Sequence, residues 1–390
     1  MAISMDRPTC VGILGGGQLG KMMAAEAKRL SLRVVVLDPT EGCPAAQVAD
    51  EQVVASFKSE EAIERLAAKC DVLTYEIELA GSTALRRLER RGYPVRPAPR
   101  ILRILQNKHR QKTFLRRRNI PVPDFQRVES EEALRRLCRR FGLPAVLKAT
   151  EDAYDGRGNF VISKESGIRG ALGRFPGRET MLERFVPFAR EVSVMVARNP
   201  SGQVESFPVV ENIHRDGILD TTIAPARVSR RTEARARRTA ESAVKALRGA
   251  GIFGVEMFVT RSGGILVNEI APRVHNSGHY ANEACSVSQF EQHLRAVLGL
   301  PLAKPELLSP AAMANLLGPG GLSGPYAVRG LEKMARVPGA VLYIYGKKTS
   351  APMRKMGHIT ATGRTVREAV ARARRARAAI RLVPAAGVRR

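Results

Sequence analysis

Two glutamates, Glu256 and Glu269, stand thirteen residues apart in apolar stretches whose alternation predicts neighbouring strands, with Thr260 to Gly264 as a hairpin-like connection. Both carboxylates then face one site. With Asn268 they offer the hard oxygen ligands that hold Mg²⁺, or Mn²⁺ in its place, on nucleotide phosphates. Glutamates on strands are more often exposed edge residues. Here Val255, Phe258, Leu266, Val267 and Ile270 surround the pair and argue for function. Immediately downstream, Ala271-Pro272-Arg273-Val274-His275-Asn276-Ser277-Gly278-His279 is dense in donors and suits a phosphorylated polar substrate. His275 and His279 have the spacing of a helical metal pair, but Pro272 and Gly278 argue against a helix and no third ligand is evident.

Upstream, Lys108 and Lys148 precede Ala153-Tyr154-Asp155-Gly156-Arg157-Gly158-Asn159, a basic, glycine-flanked loop between predicted strands that suits triphosphate binding. Taken alone, Lys148 reads as a surface lysine at a strand end. Val146 and Leu147 place it instead in an apolar strand, where an ammonium needs a partner. Gly15-Gly16-Gly17-Gln18-Leu19-Gly20 fits GxGxxG at a strand-to-helix turn, where backbone amides approach a phosphate. Asp38, eighteen residues after Gly20, suits a dinucleotide ribose, so the turn alone admits a dehydrogenase or a purely structural turn. The remaining motifs supply a better use for it. Lys347, Arg354, Lys355 and His358 form a second basic group, which a solvated face would explain equally well.

These residues need elements to carry them. A strand at Cys10 to Leu14, a helix from Leu19 to Leu30 and a strand at Arg33 to Asp38 make a βαβ unit. A helix at Glu60 to Lys69, a strand at Asp71 to Glu76 and a helix at Ser82 to Arg91 extend it into an open, mostly parallel sheet. One helix is expected over Ile101 to Arg118. Strands then follow at Val146 to Lys148, Asn159 to Ser163, Glu179 to Arg184 and Glu191 to Ala197, as in a small α+β module. The helix Thr232 to Ala250 precedes the two glutamate strands, and a unit from about Leu300 ends in an Ala/Arg helix.

With 390 residues, 44% hydrophobic and 26% charged, the chain has the composition of a folded protein of two or three domains. Five scattered cysteines without CxxC spacing suggest neither a disulfide framework nor a zinc site. No apolar run is long enough to span a bilayer, and the first strand begins too early for a leader, so a cytoplasmic protein is expected. The formal charge of +27 invites a nucleic-acid reading. Against it, the arginines are spread over several helices, Trp is absent and aromatics are 5%. From Arg364 to Arg390 nine arginines face one acid, Glu368. A solvated basic surface accounts for this better than nucleic-acid binding.

Six ordered strings together resemble the N5-carboxyaminoimidazole ribonucleotide synthetases of the ATP-grasp superfamily. They are ILGGGQLG from Ile13, TYEIE from Thr74, AYDGRGN from Ala153, IHRD from Ile213, NEIAPRVHNSGH from Asn268 and RKMGH from Arg354. The match runs from Val11 to about Thr362. It departs at Leu79-Ala80, where the family usually has His-Val, and at Met353, where glycine or a basic residue is common. The resemblance implies an α/β ATP-grasp architecture in which 8–104 is a Rossmann-like preATP-grasp domain and 105–300 the ATP-grasp domain, with a lid at about 125–190. A small C-terminal domain, 301–384, would pack on that core ahead of a basic tail, 385–390. The implied reaction carboxylates 5-aminoimidazole ribonucleotide with bicarbonate and ATP through carboxyphosphate. A formate-using transformylase is the nearest rival and a silent nucleic-acid binder the distant one.

By position, the resemblance places ATP on Lys108, Lys148, Glu183, Arg184, Phe185, Val186, Glu191, His214, Asn268 and Glu269, and the metal on Glu256, Glu269 and Asn268. The ribonucleotide falls to Gly16, Gly17, Gln18, Leu19, Glu76, Arg273, His275, Asn276, Ser277, Lys347 and Arg354. Catalysis falls to Lys148, Tyr154, Asp155, Arg273 and His275. A homodimer is implied, as is a separate mutase acting next, since several of the strings resemble the plant and fungal form in which a mutase domain follows.

Overall fold

A computed structural model describes residues 8–151 and 158–385; Tyr154, Asp155, most of the expected lid loop and the tail 386–390 lie outside the described residues. The N-terminal region contains β1 (Cys10–Leu14), α1 (Gln18–Arg29), β2 (Arg33–Asp38), β3 (Glu51–Val54), α2 (Glu60–Lys69), β4 (Val72–Tyr75) and α3 (Ser82–Arg90). Its strands form a parallel sheet in the order β3-β2-β1-β4. Every residue of β1 is buried, as expected for a parallel strand covered on both faces. Helix α2 shows how locally these elements are specified. Ser59 caps it, Glu60 and Glu61 occupy its first turn, and Ala62, Ile63, Leu66 and Ala67 form its buried stripe.

The single helix expected over Ile101 to Arg118 is two, α4 (Pro99–Leu105) and α5 (Lys108–Arg117). The break is chemical. Asn107 leaves helical geometry, caps α5 by accepting from the Arg110 amide at 2.9 Å, and puts Lys108 in the first turn.

Next come β5 (Phe125–Val128), α6 (Glu131–Phe141), β6 (Ala145–Ala149), β7 (Asn159–Ile162) and β8 (Thr180–Arg184), whose strands form a sheet in the order β5-β8-β6-β7. Most of the remaining strands build one large sheet. Its strands are β9 (Phe188–Arg198), β10 (Val204–Ser206), β11 (Val210–Arg215), β12 (Ile218–Ala224), β13 (Gly251–Thr260) and β14 (Ile265–Ala271), followed by β15 (Ala311–Leu317) and then β17 (Ala340–Ile344) and β18 (Lys355–Thr362) beyond the short strand β16 (Tyr326–Arg329). The order is β14-β13-β9-β11-β12-β15-β18-β17, with β10 on β9. The C-terminal strands therefore continue the central sheet through β12 and β15 rather than only packing on it. Helices α7 (Arg230–Leu247), α8 (Ala281–Ala284), α9 (Gln289–Leu298), α10 (Leu331–Ala335) and α11 (Val366–Ala379) complete the fold, and β19 (Arg381–Pro384), unexpected after the Ala/Arg helix, pairs with β16.

One apolar core ties the regions together. It runs from Ile13 and Met23 through Phe290 and Leu294 of α9 to Ile252 and Met313 of the large sheet.

Candidate active site

The described residues enclose a cavity of about 1080 Å³ where the three regions meet. The first region contributes Gln18, Leu19 and Glu76, the α4–α5 break contributes Lys108, and the large sheet contributes Glu191, His214, Glu256, Asn268 and Glu269. Arg273, His275 and Asn276 enter from the loop after β14. Lys347, Arg354 and Lys355 close the far side. Residues separated by more than three hundred positions thus share one wall.

Glu256 and Glu269 are directly opposed in the β13–β14 register, with an irregularity just after Glu256. Opposed residues of an antiparallel pair project from the same face. Glu269 forms an ion pair with Lys108, while His275 Nε2 lies 3.4 Å from Glu256 Oε1. Burial raises the Glu256 carboxyl above its ordinary range, and Glu269 opposite adds to the rise although His214 offsets part of it. Burial also pushes Glu269 up, but Lys108 outweighs this and its carboxyl is lowered. Two facing carboxylates, one of them inadequately neutralised, with Asn268 lining the same cavity, fit a divalent cation. No group of three His, Cys, Asp or Glu gathers around a metal position among the described residues, so further ligands would come from a bound phosphate.

Beneath this pair lies a more deeply buried one. Lys148 donates to Glu183 at 2.6 Å, and Lys112 reaches the other Glu183 oxygen at 2.7 Å. Burial would raise Glu183, yet the two lysines outweigh it and bring its pKa to about 2; burial lowers Lys112 to about 8. Lys148 also approaches Asn268 Oδ1 at 3.4 Å, which links the buried pair to the cavity floor. Lys148 and Glu183 therefore lie outside the cavity wall. Arg184 turns to Asp124 at 3.2 Å, and Phe185 and Val186 do not line the cavity either. Sequence reading missed Lys112, although its position one helical turn after Lys108 was the available signal.

The glycine turn is occupied by the protein's own carboxylates. Gly16 donates to Asp38 Oδ2 at 2.8 Å, and Gly17 and Gly20 donate to the two Glu76 oxygens at 2.8 and 3.1 Å. Gly15 has φ +97°, and a side chain there would strike Glu76. Asp38 is thus committed to the turn rather than to a dinucleotide ribose. Glu76 shapes the same turn, while Gln18 and Leu19, at the start of α1, reach the cavity.

Other side chains arrive in pairs. Arg273 Nε lies 2.8 Å from Glu78 Oε1, a partner not singled out from the sequence as a site residue. His214 bonds Glu191; burial lowers its pKa, but this carboxylate more than compensates and the pKa is raised. Ser277 is fully buried behind His275 and bonds its Nδ1 at 2.8 Å. Gln289 clamps His275 by accepting from its amide at 2.9 Å and donating to its carbonyl at 2.8 Å. His279 sits away from the cavity, stacked on His358, so the two loop histidines are separated.

Three family descriptions match the chain: a ribonucleotide synthetase preATP-grasp domain over 9–106, an ATP-grasp domain over 113–290 and a phosphoribosylaminoimidazole carboxylase C-terminal domain over 311–372. The N5-carboxyaminoimidazole ribonucleotide synthase of Bacillus subtilis is 42% identical, with 90% of each chain covered. The phosphoribosylaminoimidazole carboxylase of Ogataea methanolica is 44% identical over 91% of this chain, which spans only 66% of that longer protein. The N5-carboxyaminoimidazole ribonucleotide synthetase structure from Thermotoga maritima has a TM-score of 0.89 and 48% identity, covering 96% of this chain and 99% of that one. The Aspergillus clavatus N5-carboxyaminoimidazole synthase, in complex with ADP and 5-aminoimidazole ribonucleotide, has a TM-score of 0.87 and 37% identity, covering 93% and 96%.

Proposed function

The chain belongs to the N5-carboxyaminoimidazole ribonucleotide synthases of the ATP-grasp type, and from that premise we propose that it joins bicarbonate to the amine of 5-aminoimidazole ribonucleotide at the expense of ATP. The observation that carries the reading is the placement of Glu256, Glu269 and Lys108 in one cavity with Arg273, His275 and Lys347. One side holds a nucleotide triphosphate. The other offers cations and donors to a phosphorylated substrate.

Bicarbonate is a poor electrophile, so one of its anionic oxygens first attacks the γ-phosphorus and the bond to ADP breaks, giving carboxyphosphate and ADP. Lys108 beside Glu269, with Lys148 beneath Asn268, supplies positive charge where oxygens become more negative. Glu256, Glu269 and Asn268 would hold Mg²⁺, which when bound neutralises phosphate charge. Arg273, steadied by Glu78, fixes the ribonucleotide with His275 and Asn276. The amine then attacks the activated carbon, or CO₂ released from it, and phosphate leaves. Water must be kept out during that interval, which is the role proposed for the loop 151–158. The same reading includes a cytoplasmic homodimer, a mutase that consumes the product, and the domain division at 104 and 300.

The test is ADP release from Mg-ATP and bicarbonate, with and without the ribonucleotide, on wild type and Glu269→Gln. Strong stimulation by the ribonucleotide is expected, with turnover lowered at least about 100-fold in the variant. Wild type that gives no ribonucleotide-dependent ADP overturns the proposal.

A further inference from the structure

The ring of His275 is held from behind by a chain of hydrogen bonds that crosses the large sheet. Thr222 of β12 donates to Asn212 Oδ1 of β11 at 3.1 Å, and Asn212 Nδ2 donates to Ser193 Oγ of β9 at 3.0 Å. Ser193 Oγ donates to Ser277 Oγ at 2.8 Å, and Ser277 Oγ lies 2.8 Å from His275 Nδ1. Ser193, Thr222 and Ser277 are fully buried and Asn212 nearly so. Strand register produces this row. Thr222 opposes Asn212 and Ser193 opposes Glu256, so the chain lies on the face that carries the acidic pair.

The direction of the chain has a chemical consequence. A Ser277 hydroxyl that accepts from Ser193 has its own hydrogen left for His275 Nδ1. Independently, the Ser277 backbone N–H, which can only donate, points at the same nitrogen at 3.3 Å. Nδ1 is therefore an acceptor, and the proton of the neutral ring is on Nε2, the nitrogen that faces Glu256 and the cavity. Gly254 lets the ring lie this close to the sheet, since a Cβ there would stand 2.8 Å from that of His275.

We infer that the buried row Thr222, Asn212, Ser193 and Ser277 fixes His275 as the Nε2–H tautomer, so that the ring offers a hydrogen-bond donor, not a base, to an anionic oxygen in the cavity. The amine proton must then go elsewhere, because the cavity-facing nitrogen is already protonated and the other is turned into the row. Ser193, Asn212 and Ser277 are positioning residues acting through His275. Identifying the acceptor as an oxygen of the bicarbonate-derived group or of the ribonucleotide rests on the proposed carboxylation; the tautomer does not.

Two-bond ¹⁵N–¹H correlation on ¹⁵N-histidine-labelled full-length protein at neutral pH reads the tautomer directly. The chain has six histidines, and His275 is assigned by the signals lost in His275→Gln. A pyridine-like Nδ1 with a pyrrole-like Nε2 is expected. A protonated Nδ1, averaged shifts or an imidazolium pattern overturns the inference. In Ser193→Ala the pattern should move toward exchange between tautomers, and KM for the ribonucleotide or bicarbonate should rise about tenfold while KM for ATP stays within about twofold; an unchanged pattern and KM remove Ser193 from the role. His275→Gln, whose amide can donate from near the Nε2 position, should keep kcat within about tenfold, whereas loss of a general base would cost about 100-fold or more. If wild type does not turn over the ribonucleotide, the carboxylation reading fails and the spectrum still decides the tautomer.

Discussion

Glu183 is 2% exposed and carries charge only because Lys112 and Lys148 flank it. Neutralising it leaves two ammonium groups in a place that tolerates neither alone, so Glu183→Gln should lose about 3–5 kcal/mol of stability. The pH dependence follows from the sign of the shift. With its pKa lowered from 4.5 to about 2, the native carboxylate stays ionised while the unfolded one takes up a proton. The advantage of wild type over Glu183→Gln is therefore complete above about pH 4.5 and vanishes as pH falls toward 2. Urea titrations of both proteins at several acid pH values measure that convergence, and a constant gap would show that Glu183 is not charge-paired.

The break between α4 and α5 does more than end a helix. Asn107 caps α5 and also donates to Thr150 Oγ1 at 3.2 Å and Glu151 Oε1 at 2.9 Å, while the Lys108 amide bonds the Thr150 carbonyl at 2.7 Å. One side chain thus sets the start of the helix, the position of Lys108 and the root of the loop that follows β6. Replacing it with alanine should cost about 1–2 kcal/mol as a lost cap. It should also raise KM for ATP several-fold, because Lys108 leaves its place beside Glu269. Thermal unfolding together with steady-state kinetics separates the two effects, and a variant that loses stability but keeps its KM would limit Asn107 to capping.

The molecule is held as one body by contacts that cross its three regions. His293 of α9 accepts from the Ile252 amide at Nδ1 (3.1 Å), so its Nε2–H donates to Thr74 of β4 at 2.8 Å and joins the first sheet to the large one. Burial lowers its pKa from 6.5 to about 3. Between those values the unfolded chain binds the proton and the native one does not, so this group makes stability fall as pH falls. Relative to His293→Gln, wild type should lose up to about 1.4 kcal/mol per pH unit across that window, read from denaturant midpoints between pH 7 and 4. The basic surface behaves differently. Arg374 and Arg375 are exposed on α11, whose buried stripe is Ala369, Ala373 and Ala376. Changing both to glutamine should leave turnover within about twofold, and a larger loss in the ADP assay would give the surface charge a part in function.

Much of the fold was legible because it rests on local rules. The βαβ unit at Cys10 to Asp38, helix α2 and the two glutamate strands follow from alternation, capping residues and glycine placement, which need no knowledge of distant neighbours. Glu256 and Glu269 could be paired from sequence since a short hairpin connection fixes register. The α4–α5 break was missed because one Asn in an otherwise helical pattern looks like an ordinary interior residue until its side chain is seen to cap. Tertiary structure alone decided which groups meet: that Lys148 pairs with a buried Glu183 just beneath the cavity floor, that Asp38 and Glu76 occupy the glycine turn, and that Ser193, Asn212 and Thr222 align behind His275. Those partners sit on separate elements, and strand order and side-chain direction, which bring them within hydrogen-bonding distance of one another, are set by how whole sheets pack.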